Sequence, residues 1–178
     1  MRQKPGYSKN AMVELMRKDR PRCMIDINVL VSGILWPRWQ HEILHHATQQ
    51  DFCLVLAPLI LDGARFHVQR IIPYRITHYD QFLRDCRYEL VPDPDSSQVQ
   101  QNLDLVRDRS DVPIALAARN AKVDYFVTYD KDFTEEHEST QKVRQAIPGI
   151  ILPPVFLRDV MGWGSDALEL IRHRNWDA

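Results

Sequence analysis

Short apolar runs alternate along the chain with segments whose apolar residues recur every three or four positions. Bounded apolar runs of this length are typical of buried strands, and the longer period is typical of amphipathic helices. The predicted strands are residues 22–27, 52–57, 88–91, 124–130 and 149–154. The predicted helices are residues 39–50, 58–72, 75–86, 111–123 and 153–160.

This alternating order of strands and helices predicts an α/β fold: a single three-layer α/β/α domain with a mainly parallel central sheet. Residues 1–21 are polar and basic, and they predict an N-terminal extension that is either flexible or carries a short helix at 11–18. The domain then covers residues 22–178 and includes a C-terminal helical segment. Residues 92–98, rich in proline, aspartate and serine, predict a loop.

Composition narrows the class of protein without identifying it. The formal net charge of the 178 residues is -1, so any binding of nucleic acid has to use a local basic groove. Three widely spaced cysteines show no metal-binding pattern and predict reduced thiols. No apolar stretch approaches the ~20 residues that span a bilayer. We therefore expect a cytoplasmic protein that does not associate with membranes.

Aspartates stand where the predicted strands end or where the following helices begin. Asp26 ends the first strand, Asp130 and Asp132 follow the fourth, Asp111 starts the helix before it, and Asp62 lies early in the helix after the second. In open α/β sheets, sites form outside the carboxyl ends of the strands. Converging carboxylates repel each other, and oxygen ligands favour Mg²⁺ or Mn²⁺ over zinc. The pattern therefore predicts a divalent-cation site.

Four of these acids also have an ordinary structural interpretation. Asp26 would serve as a strand-end cap or turn former, and Asp130 and Asp132 as turn residues. Asp111 would serve as a helix N-cap, since Ser-Asp-Val-Pro is a good helix start. Asn28 and Thr128 add short polar side chains that could orient the acids. The combination is more specific than any one residue.

A local basic stretch follows Asp62. It contains Arg65 and Arg70, which are candidates for binding the phosphates of a substrate.

Three blocks of the sequence resemble the PIN-domain ribonucleases, a family that includes toxin components of toxin–antitoxin systems. MIDINVLVSGIL resembles the opening strand of that family, DVPIALAARNAKVDYFVTYDKDF resembles its later acidic block, and PGIILPPVFLRDV resembles its closing segment. The resemblance covers about residues 22–162.

The resemblance implies a metal-dependent endoribonuclease. Asp26, Asp111 and Asp130 would hold Mg²⁺ or Mn²⁺ and Asp132 would be auxiliary, with Asn28 and Thr128 as supporting residues. It further implies RNA as substrate, an antitoxin protein as partner and a homodimer.

One acidic position departs from the family pattern. The family has a glutamate in the helix after the second strand, and the alignment places either Asp62 or Gly63 there. If the position is Asp62, a shorter carboxylate would contribute through water. If it is Gly63, the ligand is missing, and Asp62 points ~100° away around the helix. The sequence thus leaves two interpretations open: an active nuclease, or a catalytically impaired domain that binds RNA or protein.

Overall fold

A five-stranded, fully parallel sheet forms the centre of the protein. The computed structural model describes residues 20–176, and within them the sheet order is β3-β2-β1-β4-β5. The strands are β1 (Arg22–Ile25), β2 (Cys53–Leu56), β3 (Tyr88–Leu90), β4 (Tyr125–Val127) and β5 (Ile150–Ile151). In register, Met24 of β1 lies opposite Val55 on one side and Phe126 on the other. The predicted three-layer α/β/α architecture is confirmed.

Helices cover both faces of this sheet. They are α1 (Ile27–Leu35), α2 (Trp39–Thr48), α3 (Pro58–Ile71), α4 (Ile76–Asp85), α5 (Ser96–Gln101), α6 (Val112–Ala121), α7 (Lys131–Thr134), α8 (Gln141–Ala146), α9 (Pro153–Asp159) and α10 (Ser165–Ile171). Proline occupies the first turn of α3, α6 and α9, where its missing N–H costs no helical hydrogen bond.

Helix α1 corrects the predicted length of the first strand. The strand ends at Ile25, and Asp26 caps a helix that begins at Ile27. This helix is apolar on most sides because it is enclosed by the sheet, α2 and α3. Gly33 allows α2 to approach closely, since a Cβ there would lie 2.6 Å from Leu44 Cδ1.

Two other predictions concern the loop at 92–98 and the short helix at 11–18. The loop predicted at 92–98 is wrong at its end, because α5 begins at Ser96. Asp95 and Gln98 form a capping box there, which stabilises the helix start. The short helix predicted at 11–18 lies outside the described residues.

The strand order creates a reversal point between β1 and β4. From β1 the chain adds β2 and β3 on one side, and then returns to add β4 and β5 on the other. The carboxyl ends of β1 and β4 are therefore neighbours at the switch point where α/β proteins bind ligands. Of the described helices, none has the length and apolarity to cross a membrane.

Candidate metal centre

Asp26 is a buried carboxylate that is fully engaged by hydrogen-bond donors. It is 4% exposed. Its Oδ1 accepts from Ile27 N at 2.6 Å, and its Oδ2 accepts from Asn28 Nδ2 and Thr128 Oγ1, both at 2.7 Å. Burial raises the pKa of Asp26, whereas the hydrogen bonds from Thr128, Ile27 and Asn28 lower it. These donors explain how an acid is tolerated inside an apolar run.

Thr128 links Asp26 to the acids that follow β4. Its hydroxyl donates to Asp26 and accepts from Asp130 N at 2.9 Å, and the residue is fully buried. Asp130 in turn caps α7 by accepting from Asp132 N at 2.8 Å through Oδ1. The Asp130 charge raises the pKa of Asp26, as expected for carboxylates held near each other.

Asp111 stands at the start of α6, but in the described contacts its side chain does not cap that helix. Burial, followed by the charges of Asp130, Asp26, Asp108 and Asp132, raises its pKa to about 7. The carboxylate is thus directed into the acidic group rather than toward the helix amides. The N-cap interpretation of Asp111 does not describe what its carboxylate does.

Asp108 joins this group and was missed by sequence reasoning. One carboxylate oxygen from each of Asp108, Asp111 and Asp132 lies within 4.8 Å of the other two. Asp108 is held by Ser110, whose N–H and hydroxyl both donate to its Oδ1 at 2.8 Å. These bonds lower the pKa of Asp108. The available signal was its position three residues before Asp111.

Arg107 is a second residue that the sequence did not single out. Its Nη2 forms an ion pair with Asp132, and its Nη1 lies 3.7 Å from Glu135 Oε2. A protein cation therefore contacts one edge of the acidic group.

Positions 62 and 63, the two candidates for the acidic position after the second strand, lie on α3, which packs against α1. A Cβ on Gly63 would lie 2.6 Å from Ile27 Cδ1, so position 63 faces the start of α1, beside Asp26. Asp62 is exposed, and its charge acts on the phenol of Tyr79. The structure therefore directs Gly63, rather than Asp62, toward the acidic group.

The two candidate phosphate-binding arginines are also on α3. Arg65 pairs with Asp80 and lies 5.2 Å from the centre of the Tyr79 ring. Arg70 is exposed in the last turn of the helix. Both side chains are exposed, and Arg65 is the one engaged in a described ion pair.

The donor set fits a hard divalent cation. Asp26, Asp111, Asp130 and Asp132 offer carboxylate oxygens, the ligand type that Mg²⁺ and Mn²⁺ prefer. Asn28 Oδ1 is buried and accepts no hydrogen bond from any described residue, which leaves an oxygen beside Asp26 available to a ligand or its water. Burial, followed by neighbouring carboxylate charges, raises the pKa of Asp111, and burial raises that of Asp26; a bound cation would counteract both effects.

Comparison with known proteins shows the fold alone. The crystal structure of PAE2754 from Pyrobaculum aerophilum resembles this chain with a TM-score of 0.56 at 12% sequence identity, over 80% of this chain and 97% of that one. No family model and no curated protein matches the chain.

Proposed function

We propose that this protein is a PIN-like, metal-dependent endoribonuclease that hydrolyses RNA phosphodiester bonds. The observation that supports it most is the acidic group at the switch point between β1 and β4: carboxylate oxygens of Asp108, Asp111 and Asp132 lie within 4.8 Å of one another, and the charges of Asp26 and Asp130 act on Asp111. Three separated segments of the chain supply these acids, as the motif resemblance implies. Asp108 joins the same group.

Each acid has a distinct part in this proposal. Bound Mg²⁺ or Mn²⁺ would activate water and neutralise charge at the phosphate. Asp26 is fixed by its three donors, and Oδ1, which accepts only one of them, keeps a lone pair for a ligand. Thr128 positions Asp26 and Asp130 together. Asp111, whose pKa burial and the neighbouring charges raise to about 7, would supply a carboxylate ligand, and a bound cation would favour its ionised form.

The metal part of the proposal is tested by titrating the protein with Mn²⁺ in a calorimeter. We expect the parent to bind, and Asp111→Asn to lose at least about tenfold in affinity because one ligand charge is gone. Asp85→Asn, which changes an exposed acid on α4, is the matched control. Absence of binding by the parent, or equal binding by Asp111→Asn, would contradict the assignment.

The catalytic part is tested on single-stranded RNA oligonucleotides with Mn²⁺ or Mg²⁺. We expect cleavage by the parent and by Asp85→Asn, and none by Asp111→Asn. Cleavage that persists in EDTA would contradict a metal-dependent reaction.

A second function is favoured by one observation, the contact between Gly63 and Ile27. Where the resembled family has a glutamate, this chain has no side chain, and Ile27 fills the space. A domain lacking that ligand would bind RNA or a protein without cutting. RNA binding by a parent protein that neither cleaves RNA nor binds Mn²⁺ would select this alternative.

The resemblance also carries expectations about partners and location. We propose an antitoxin protein that covers the acidic site, a homodimer and a cytoplasmic location. Co-purification with a neighbouring gene product and a measured mass in solution test the first two.

A further inference from the structure

A cavity of about 390 Å³ lies at the other end of α1, away from the acidic group. Its walls include three aromatic rings, Trp36, Tyr74 and Trp176, together with Arg75 and Asn175. All three aromatic residues are exposed, Tyr74 by 72% and Trp176 by 41%. Flat rings that remain open to solvent beside a cation are an unusual combination outside a binding site.

The rings are held in place by the end of the chain. Trp176 Nε1 donates to Leu35 O, the last carbonyl of α1, at 2.7 Å. Arg38 Nη2 donates to Asn175 Oδ1 at 3.2 Å, and Arg174 donates to Pro37 O. The cavity is thus built from three separate segments whose contacts fix its shape before any ligand enters.

Arg75 provides the second indication of a ligand. Its guanidinium carbon lies 4.4 Å from the centre of the Trp176 ring, so cation and ring are stacked. Its Nε is buried and has no hydrogen-bond partner in residues 20–176.

A nucleobase matches this chemistry better than an aliphatic or peptide group. Each base offers a π-face to stack on an aromatic ring or a guanidinium, and ring-edge acceptors in the plane of that face. Tyr74 and Trp36 supply exposed ring surfaces, and Arg75 supplies the cation beside them.

The cavity and the acidic group lie at opposite ends of the same two helices, α1 and α3. Helices α1 and α3 start side by side, where Gly63 meets Ile27, and both reach the cavity, which Leu35 and Ile72 line. At 1.5 Å per helical residue, the cavity is ~12–14 Å from Asp26. A single strand stacked at ~3.4 Å per nucleotide covers this span in about four nucleotides.

We propose that this aromatic cavity binds a nucleobase of a single-stranded RNA whose backbone reaches the acidic group. The inference rests on the proposed function for the identity of the strand. It adds a base-binding subsite that holds the RNA by stacking, away from the cleaved bond.

The test measures binding without cleavage. Octa-adenylate RNA is titrated into the full chain in EDTA, and the fluorescence of its tryptophans, two of which line the cavity, is recorded. We expect quenching by stacked bases, and affinity about tenfold lower or worse in Tyr74→Ala and in Arg75→Gln, because a stacked base contributes ~1–3 kcal/mol. Phe66→Ala and Arg87→Gln, which change exposed residues that do not line the cavity, should bind as the parent does.

Two further probes define the ligand. An abasic octamer should bind the parent more weakly than octa-adenylate does, and the difference should vanish in Tyr74→Ala. Adenosine monophosphate that binds as tightly as octa-adenylate would overturn the strand assignment in favour of a free nucleotide. Equal affinity of Tyr74→Ala, Arg75→Gln and the parent for octa-adenylate, or no binding by the parent, would overturn the inference.

The same experiment separates this inference from the proposed function. Asp111→Asn should retain octa-adenylate binding in EDTA. If quenching depends on Tyr74 and Arg75 while Mn²⁺ binding and cleavage are absent, the nuclease proposal fails and the base site stands. If cleavage is metal-dependent but unaffected by both substitutions, with equal affinities, the base site fails and the nuclease proposal stands.

Discussion

The two sides of the N-terminus of α1 carry very different chemistry. On the β4 side, Asp26 is connected through Thr128 to Asp130, and Asp111 adds its charge. On the α3 side, Gly63 faces Ile27, and the carboxylate of Asp93 accepts from Leu59 N at the start of the helix. The candidate ligands of the metal centre therefore lie on the β1/β4 side of the sheet edge.

This difference shows that a carboxylate can be buried where the fold already positions hydrogen-bond donors around it. Asp26 is accommodated by a backbone N–H and an amide from the first turn of α1 and by a hydroxyl from the residue after β4. Asp62, one residue from the α3 position facing the site, stays exposed and needs no such support. Substitutions of the acids on the β4 side should therefore change the free energy of unfolding strongly, and substitution of Asp62 on the α3 side should change it weakly.

Asp26→Ala should give the largest loss of stability. It leaves donors of Ile27, Asn28 and Thr128 without their acceptor and removes the cap of α1. We expect the free energy of unfolding to fall by about 3–4 kcal/mol, since hydrogen bonds to a charged group contribute ~1.5–3 kcal/mol and a cap ~1 kcal/mol. Urea unfolding measures the change. Asp62→Asn is the comparison, and a loss of more than ~0.5 kcal/mol there would remove the contrast between the sides.

Asp111→Asn should stabilise the protein in a pH-dependent manner. The pKa of Asp111 is about 7 in the folded protein and ~3.9 when unfolded, so the folded state binds the extra proton between these values. Stability of the parent therefore falls as pH rises from about 4 to 7. At pH 8 the variant should be more stable by about 1–2 kcal/mol, reduced by solvent screening at this half-buried site.

Melting temperatures at pH 4.5 and pH 8, without metal, measure this effect. The gain in the variant should be present at pH 8 and nearly absent at pH 4.5. A gain of equal size at both pH values would show that the Asp111 charge is not the cause.

Installing an acid on the α3 side should strengthen metal binding. Gly63→Glu combined with Ile27→Ala opens the space that Ile27 Cδ1 fills and adds a carboxylate facing the site. We expect Mn²⁺ affinity to rise about tenfold over Ile27→Ala alone, because ligand charge count sets affinity. Gly63→Gln with Ile27→Ala has the same shape without the charge. If both double variants bind Mn²⁺ equally, position 63 does not reach the cation.

Much of the fold could be predicted because it depends on local patterns. The five apolar runs became five parallel strands, and the proline-started helices begin where proline favours them. Helix α1 was not separated from β1, because residues 27–35 are mostly apolar and only Asn28 and Ser32, four positions apart, mark a polar helical face. Only the packing of the sheet, α2 and α3 around this segment explains that composition.

The acids at strand ends could be found from sequence, since strand direction places them at one edge. Asp108 and Arg107 could not, because their places depend on the turn at Arg109–Asp111 and on a contact between residues 25 positions apart. Which of Asp62 and Gly63 faces α1 depends on one residue of helical phase, and in the structure position 63 faces Ile27.

The smallest expected effect concerns Arg107, whose ion pair with Asp132 competes with a bound cation. Arg107→Gln removes that competition and a repulsive charge, so Mn²⁺ should bind more tightly. The pair is half exposed and worth roughly 0.2–1 kcal/mol, which corresponds to a gain of about 1.5- to 5-fold. Arg109→Gln, an exposed neighbour, is the control for net charge. Equal gains in both variants would mean that general charge, rather than the contact with Asp132, limits binding on the β4 side.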